Sequence, residues 1–368
     1  MADDVVSSSD SSPQSSRLVL EAKKHASFFL RHLRLLPRPY TSADTQRMTM
    51  AFFCLSALDL LGVVEDKIIS EEREGYREWI WRLQADSGGF VGSPAISRGE
   101  KGNLAMTYTA LLNLGILRDD FARLDREGIK ALLRETQQLD GSFASCPGSL
   151  ERDPRFVYCA FAICTMVDDW SGVDVDRALD YLDSCRSYDG VFAQGARQES
   201  HGGSTYCAVA AYSMAGALKA RFSQRDRRQL ASWLMARQSE EGTGEGGGFN
   251  GRINKPQDSC YSFWCGAALA ILSRHDLIDR KSNVVHLLSL QTAVGGIPKT
   301  EDDHPDAMHS YLSLAALAIH REGQDEGEDG RDDWRTRCGL RDGLAQDLDP
   351  CLNVGTETVK WIRSCLSR

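Results

Sequence analysis

The chain is expected to fold as an all-α toroid of helix pairs, and three observations carry that expectation. A glycine turn followed by an aromatic or aliphatic residue recurs through most of the 368 residues. A segment dominated by small and apolar residues follows every copy. A more amphipathic stretch then separates that segment from the next turn, and strand-like alternation is absent.

The turns read LQADSGGFVG (83–92), TQQLDGSFAS (136–145), CRSYDGVFAQ (185–194), GEGGGFNG (244–251) and, more weakly, LQTAVGGIPK (290–299). Their anchors Phe90, Phe143, Phe192, Phe249 and Ile297 are spaced by 53, 49, 57 and 48 residues. Behind them come AMTYTALLNLGIL, RFVYCAFAICTMV, STYCAVAAYSMAGAL, CYSFWCGAALAIL and HSYLSLAALAI, each with a tyrosine near its start (Tyr108, Tyr158, Tyr206, Tyr261, Tyr311). The intervening stretches, such as 125–139 and 175–187, carry apolar residues at helical spacing. The unit is therefore a turn, an inner helix and an outer helix, and TQRMTMAFFCLSALDLLG (45–62) supplies the remaining inner member. Inner helices this apolar and this small suit a closed ring around a central funnel. One α/α-barrel domain over 17–368 is expected, with 1–16 as a serine-rich, acidic, disordered tail and 322–333 as an acidic solvated loop.

Composition narrows the function. With 42% hydrophobic residues the chain can bury a large core, and a formal charge of -9 argues against a general nucleic-acid binder. No apolar run approaches the ~20 residues of a membrane span. The N-terminus reads as neither a signal nor a transit peptide. Eleven scattered cysteines without a CxxC pair suit buried, reduced thiols and a cytoplasmic location.

Two constellations carry chemistry. NKPQDSCYSFW places Asp258 and Cys260 at the start of the fourth repeat's inner helix, and DAMHSY places His309 near the corresponding point one repeat later. A carboxylate, a thiolate and an imidazole with no fourth ligand is the donor set of a catalytic Zn²⁺ site with one open position. The same residues have ordinary readings: Asp258 as a helix cap, Cys260 as a core thiol like Cys265, His309 as a solvated side chain. Around them, His201, Arg252, Lys255 and Lys299 fall on three consecutive turns, with Tyr261 adding a hydroxyl. In an acidic chain they make a local anion site that fits a diphosphate. Phe156, Tyr206 and Trp264, set among small residues, would line the apolar funnel, although such stripes are also plain core.

GGGFNGRINKPQDSCYSFW, QESHGGSTYC, RFVYCA, GNLAMTYT, TQRMTMAFF and HPDAMHSY resemble the β subunits of protein prenyltransferases, type I geranylgeranyltransferase most of all. The likeness runs from about residue 25 to Val354. It implies an α/α barrel, zinc on Asp258, Cys260 and His309, and diphosphate contacts from His201, Arg252, Lys255 and Tyr261. It implies geranylgeranyl transfer to the cysteine of C-terminal CaaX boxes, preferably ending in leucine, on small GTPases of the Rho type. An obligate α subunit completes such enzymes. By the same resemblance, Lys299 stands in for Mg²⁺, so magnesium is not expected as a requirement. Thr49 occupies the place of a bulky tryptophan in farnesyltransferases, leaving room for a C20 chain, and Arg155, Phe156 and Trp264 belong to the lipid and peptide pocket. Asn103 and Leu312 depart from the family pattern, which bears on peptide preference.

Competing readings are a farnesyl- or Rab-specific relative, a triterpene cyclase and a non-catalytic helical scaffold. Thr49, Lys299 and the NKPQDSCYSFW run disfavour the first. The second needs an acidic DxDD initiator, which DVDR (174–177) does not supply. The scaffold predicts no bound metal.

Overall fold

The computed structural model describes residues 18–239, 246–321 and 333–367. The tail 1–16 and all but the last residue of the insertion 322–333 lie outside the described residues. Helices alternate between an outer and an inner ring. The outer helices are α1 (Ala22–Arg34), α3 (Ser70–Trp81), α5 (Arg126–Thr136), α7 (Val175–Ser184), α9 (Gln224–Met235) and α11 (Arg280–Ser289). The inner ones are α2 (Arg47–Leu60), α4 (Leu104–Ile116), α6 (Pro154–Val167), α8 (Gly202–Met214), α10 (Tyr261–Ile271) and α12 (Ala307–Arg321).

Composition decides which ring a helix joins. In α4 every residue except Ala105 is buried, as expected of a helix packed on all sides. In α5 only Ile129, Leu132, Leu133 and Thr136 are buried, on one face. Inner neighbours pack in the order α2–α4–α6–α8–α10–α12 and back to α2, so the ring closes. A single apolar core runs from Leu20 to Leu366.

Two devices recur at the joints. The turn glycine presses on the next outer helix: a Cβ on Gly141 (φ +87°) would lie 2.0 Å from the Arg177 carbonyl oxygen, a contact no side chain tolerates. A glutamine at the end of an outer helix then clasps the backbone that starts the next one. Gln137 accepts from Asp174 N–H and donates to Asp174 C=O, both at 2.8 Å, and Gln238 does the same with Asp279 at 3.0 and 2.8 Å. The closing joint uses both devices on α1. Gly295 meets the Lys24 carbonyl, and Gln291 accepts from Glu21 N–H at 2.8 Å while donating to Val19 C=O at 3.1 Å.

The inner helices point the same way, and in three of them an N–H at or just before the helix start donates to the turn of the following repeat. Leu104 N bonds Ser145 O, Gly202 N bonds Gly251 O, and Ser259 N bonds Lys299 O. Six N-termini therefore surround one mouth. Within the first turns of the inner helices stand Phe52, Tyr108, Tyr158, Tyr206, Phe263 and Tyr311. Their rings touch around the axis: Phe52–Tyr108 at 5.9 Å, Tyr108–Tyr158 at 5.4 Å, Tyr158–Tyr206 at 5.5 Å, Tyr206–Phe263 at 5.1 Å and Tyr311–Phe52 at 5.4 Å. Below this aromatic floor the C-terminal segment plugs the ring. Tyr108, Tyr206 and Tyr311 donate to the carbonyls of Leu352, Pro350 and Asn353 at 2.7, 3.0 and 2.6 Å. A two-residue antiparallel ladder (Leu348–Asp349 with Val354–Gly355) and the helix α13 (Thr356–Leu366) complete the plug.

Tyr261 is out of register with the other four tyrosines. The turn bonds Asn103 N to Phe90 O, His201 N to Phe192 O and Asp258 N to Phe249 O make Asn103, His201 and Asp258 equivalent. Phe263 then takes the floor position in the fourth repeat, which frees Tyr261 for the mouth.

Behind the mouth, a buried relay joins α10, α11 and α12. His275 Nε2–H donates to His320 Nδ1 at 2.9 Å, His320 Nε2–H donates to Asn283 Oδ1 at 2.9 Å, and the Asn283 amide donates to Ser262 Oγ at 3.0 Å. These bonds require the His320 imidazole to be neutral, since its Nδ1 accepts while its Nε2–H donates. Burial, with Arg280 beside it, pushes His275 from 6.5 down to about 4, and burial lowers His320 as well. The unfolded chain therefore takes up these protons first. The stabilisation is complete above about pH 6.5 and is lost as the pH falls towards about 4, on the order of 3 kcal/mol for His275 alone. Acid unfolding followed by circular dichroism should be shallower between pH 6.5 and 4 in His275→Gln, which donates without titrating. For ring closure, Gln291→Ala should cost about 1–3 kcal/mol in urea unfolding, and Gln137→Ala should cost a similar amount.

Candidate metal and anion site

The caps of the inner helices build the site. Asn103, Asp153, His201, Asp258 and Asp306 each stand five residues before the floor aromatic of their own helix and each accepts backbone N–H groups of the first turn. Cys260 lies two residues beyond the cap Asp258, and His309 three residues beyond the cap Asp306. The two side chains thus project into the mouth from adjacent helices, within one turn of the same level.

Ligand atoms of Asp258, Cys260 and His309 lie within 4.8 Å of one another, the one such cluster among the described residues. His309 Nε2 is 3.4 Å from Asp258 Oδ1, and Cys260 is only 5% exposed. Burial pushes the Cys260 thiol up to about 12. Burial alone would lower His309, but bonding to Asp258, Asp306 and Cys260 prevails and raises it to about 12. Burial likewise opposes ionisation of Asp258, and His309 and Cys260 outweigh it to hold the carboxyl low. The metal-free cluster thus pairs a carboxylate with an imidazolium and keeps its thiol protonated. One divalent cation replaces both protons and satisfies all three donors, so the residues fit zinc. Asp258 has a second task as a cap, since its Oδ1 accepts from Cys260 N–H at 3.1 Å; the ordinary reading of this residue and the ligand reading coexist.

The cationic set surrounds the same mouth. His201 caps α8 with Nδ1, which accepts from Gly203 N–H at 3.1 Å and Ser204 N–H at 3.3 Å. Its proton is therefore on Nε2, which donates to the Tyr261 oxygen at 2.9 Å. Burial, then Arg252, lowers the His201 pKa, consistent with a neutral ring. Arg252 pairs with Glu199 at 2.9 Å. Lys255 and Lys299 are exposed on neighbouring turns and have no ion-pair partner among the described residues. The structure thus joins His201 to Tyr261 directly and leaves the two lysines on the rim.

The pocket residues divide in the same way. Thr49, Arg155 and Cys260 share one register position on their helices, and Phe156, Tyr261 and His309 share the next. Thr49 is half-buried, its hydroxyl 3.7 Å from Met106 Sδ. Trp264 is half-buried and packs 5.1 Å from Tyr206, which itself is fully buried in the floor. Arg155 is held by Asp153 at 2.6 Å and reaches across Phe156, 5.5 Å from the ring centre. Asn103 and Leu312 are a helix cap and a fully buried wall residue. Sequence reasoning missed Asp306, whose Oδ2 accepts from His309 Nδ1–H at 2.6 Å. The signal was its spacing of five before Tyr311, the same as His201 before Tyr206.

His201→Ala should cost about 1 kcal/mol in denaturant unfolding through loss of the α8 cap. Zinc content, measured by atomic absorption, should stay unchanged.

Known proteins share this architecture. The family described as "Prenyltransferase alpha-alpha toroid domain" matches residues 20–354. A geranylgeranyl transferase type-1 subunit beta of Dictyostelium discoideum is 36% identical over 330 residues, covering 82% of this chain and 91% of the relative. Its counterpart from Arabidopsis thaliana is 34% identical over 329 residues, covering 82% and 85%. The structure of Candida albicans protein geranylgeranyltransferase-I complexed with GGPP superposes with a TM-score of 0.81 at 25% identity, covering 95% of this chain and 99% of that one. The chain belongs to the prenyltransferase α–α toroid family, among the type-1 geranylgeranyl transferase β subunits.

Proposed function

We propose that this chain is the catalytic β subunit of a zinc-dependent protein geranylgeranyltransferase type I. It works in the cytoplasm as an obligate heterodimer with an α subunit. It transfers the C20 group of geranylgeranyl diphosphate to the cysteine of CaaX sequences, preferably ending in leucine, on small GTPases. The observation that carries this reading is the convergence of Asp258, Cys260 and His309 within 4.8 Å, beside the His201–Tyr261 pair, at the mouth of an aromatic-floored ring.

Asp258, Cys260 and His309 hold the zinc, which when bound stabilises the substrate cysteine as a thiolate. The other residues act on the leaving group. Because His201 Nε2–H donates to the Tyr261 oxygen, the phenol hydrogen is free to point at a diphosphate oxygen. Arg252, Lys255 and Lys299 neutralise the charge that grows there as the C1–oxygen bond breaks. Parallel inner helices reinforce them, since their positive ends face the same mouth. Lys299 supplies charge on the turn beside the cluster, so magnesium is not required. Thr49, Phe156, Tyr206 and Trp264 form the wall and floor for the isoprenoid, with Arg155 at the peptide side.

Co-expressed with an α subunit, the chain should contain one zinc. It should prefer the C20 over the C15 diphosphate on a peptide ending in leucine. A zinc-free protein, or a preference for C15, contradicts the proposal. Asp258→Ala combined with His309→Ala should abolish zinc binding. Tyr261→Phe should lower kcat at least about tenfold with little change in KM, because its bond matters as charge develops.

A further inference from the structure

We infer that Asp306 is the residue that presents His309 to the metal: it selects the ring nitrogen that binds and holds the imidazole at a fixed angle. The inference rests on the zinc reading of Asp258, Cys260 and His309. Asp306 and Asp258 occupy the same cap position on adjacent inner helices, five residues before Tyr311 and Phe263. Their side chains do different things. Asp258 belongs to the ligand cluster, whereas Asp306 lies outside it.

The Asp306 carboxylate grips His309 twice. Oδ1 accepts from the His309 backbone N–H at 3.0 Å, and Oδ2 accepts from Nδ1–H at 2.6 Å. The first bond caps α12; the second is not needed for capping. It places the proton on Nδ1 and turns Nε2 towards Asp258 Oδ1, 3.4 Å away. Nε2 is then the ligand atom, and Asp306 acts through His309 rather than as a fourth donor, so the open position stays open. The backbone beneath is fixed from the other side as well. The Tyr40 hydroxyl oxygen accepts from Ala307 N–H at 2.9 Å, and Ser310 Oγ accepts from Ile297 N–H at 2.8 Å and donates to Ile297 C=O at 3.0 Å. A carboxylate in this relation to a ligand histidine fixes the tautomer and makes the imidazole a stronger donor.

Two variants separate the cap from the grip. Asp306→Ser keeps a capping oxygen but is too short to reach Nδ1. Asp306→Asn keeps the side-chain length and one acceptor oxygen, which can serve the helix cap or Nδ1–H but not both, and removes the charge. The full chain with its α subunit is stripped of metal, and zinc affinity is measured by competition with a chelator. Thermal unfolding of the metal-free protein and the visible spectrum of the Co²⁺ form are recorded in parallel. Asp306→Ser should weaken zinc about 10–100-fold and shift the Co²⁺ bands, with some fall in the metal-free midpoint from loss of the pair with the His309 imidazolium, and Asp306→Asn should fall between. Zinc bound by the wild type, with affinity within twofold in Asp306→Ser, overturns this inference alone. A loss of affinity in both variants with the Co²⁺ bands unmoved also overturns it, since the imidazole is then presented to the metal unchanged. A wild type that binds no zinc overturns the metal reading and this inference together.

Discussion

Closure of the ring is the constraint on which the rest depends. Each glycine turn must lie against the next outer helix, and the last turn must find α1, 270 residues earlier in the chain. Only a closed ring brings six parallel N-termini to one mouth and six aromatic rings to one floor. The donor atoms of the candidate metal cluster come from the segment leading into α10 and from α12, which are neighbours only because the repeats stack at a constant level. Neither helix builds the cluster alone.

The repeat does more than pack. Its first turn is a position where the fold already needs a hydrogen-bond acceptor, supplied as an amide, a carboxylate or an imidazole by Asn103, Asp153, His201, Asp258 and Asp306. Polar groups with chemical potential are therefore kept at the mouth by ordinary capping energetics, about 1 kcal/mol each. Function then requires small departures from the repeat. His201 uses its second nitrogen on Tyr261, Asp258 turns to the cluster, and Asp306 takes the imidazole of His309. The proposed diphosphate and metal subsites are in this sense two uses of one structural position.

Much of this was legible in the sequence. Glycine turns spaced by about fifty residues gave the toroid, because their contact with the next helix excludes a side chain. Asp258, Cys260 and His309 stood out because a thiol and a charge are unexpected at the head of an apolar helix. The register of the fourth repeat was not legible. Tyr261 looks like the floor tyrosines, and only the turn bonds show that Phe263 takes their place. The glutamine clasps and the His275–His320–Asn283 relay were invisible for another reason, since they join residues about forty positions apart through partners of no distinctive type. Asp306 was visible as a cap but not as the partner of an imidazole, which depends on a rotamer rather than on spacing.

The central claim is that these three residues hold a zinc whose fourth position receives the substrate sulfur. X-ray absorption at the zinc edge, with and without a CaaX peptide and a non-reactive isoprenoid diphosphate, tests it most directly. The account predicts one sulfur at about 2.3 Å beside nitrogen and oxygen ligands in the free enzyme, and a second sulfur at about that distance when the peptide is bound. A zinc shell that keeps a single sulfur in the ternary complex would contradict it.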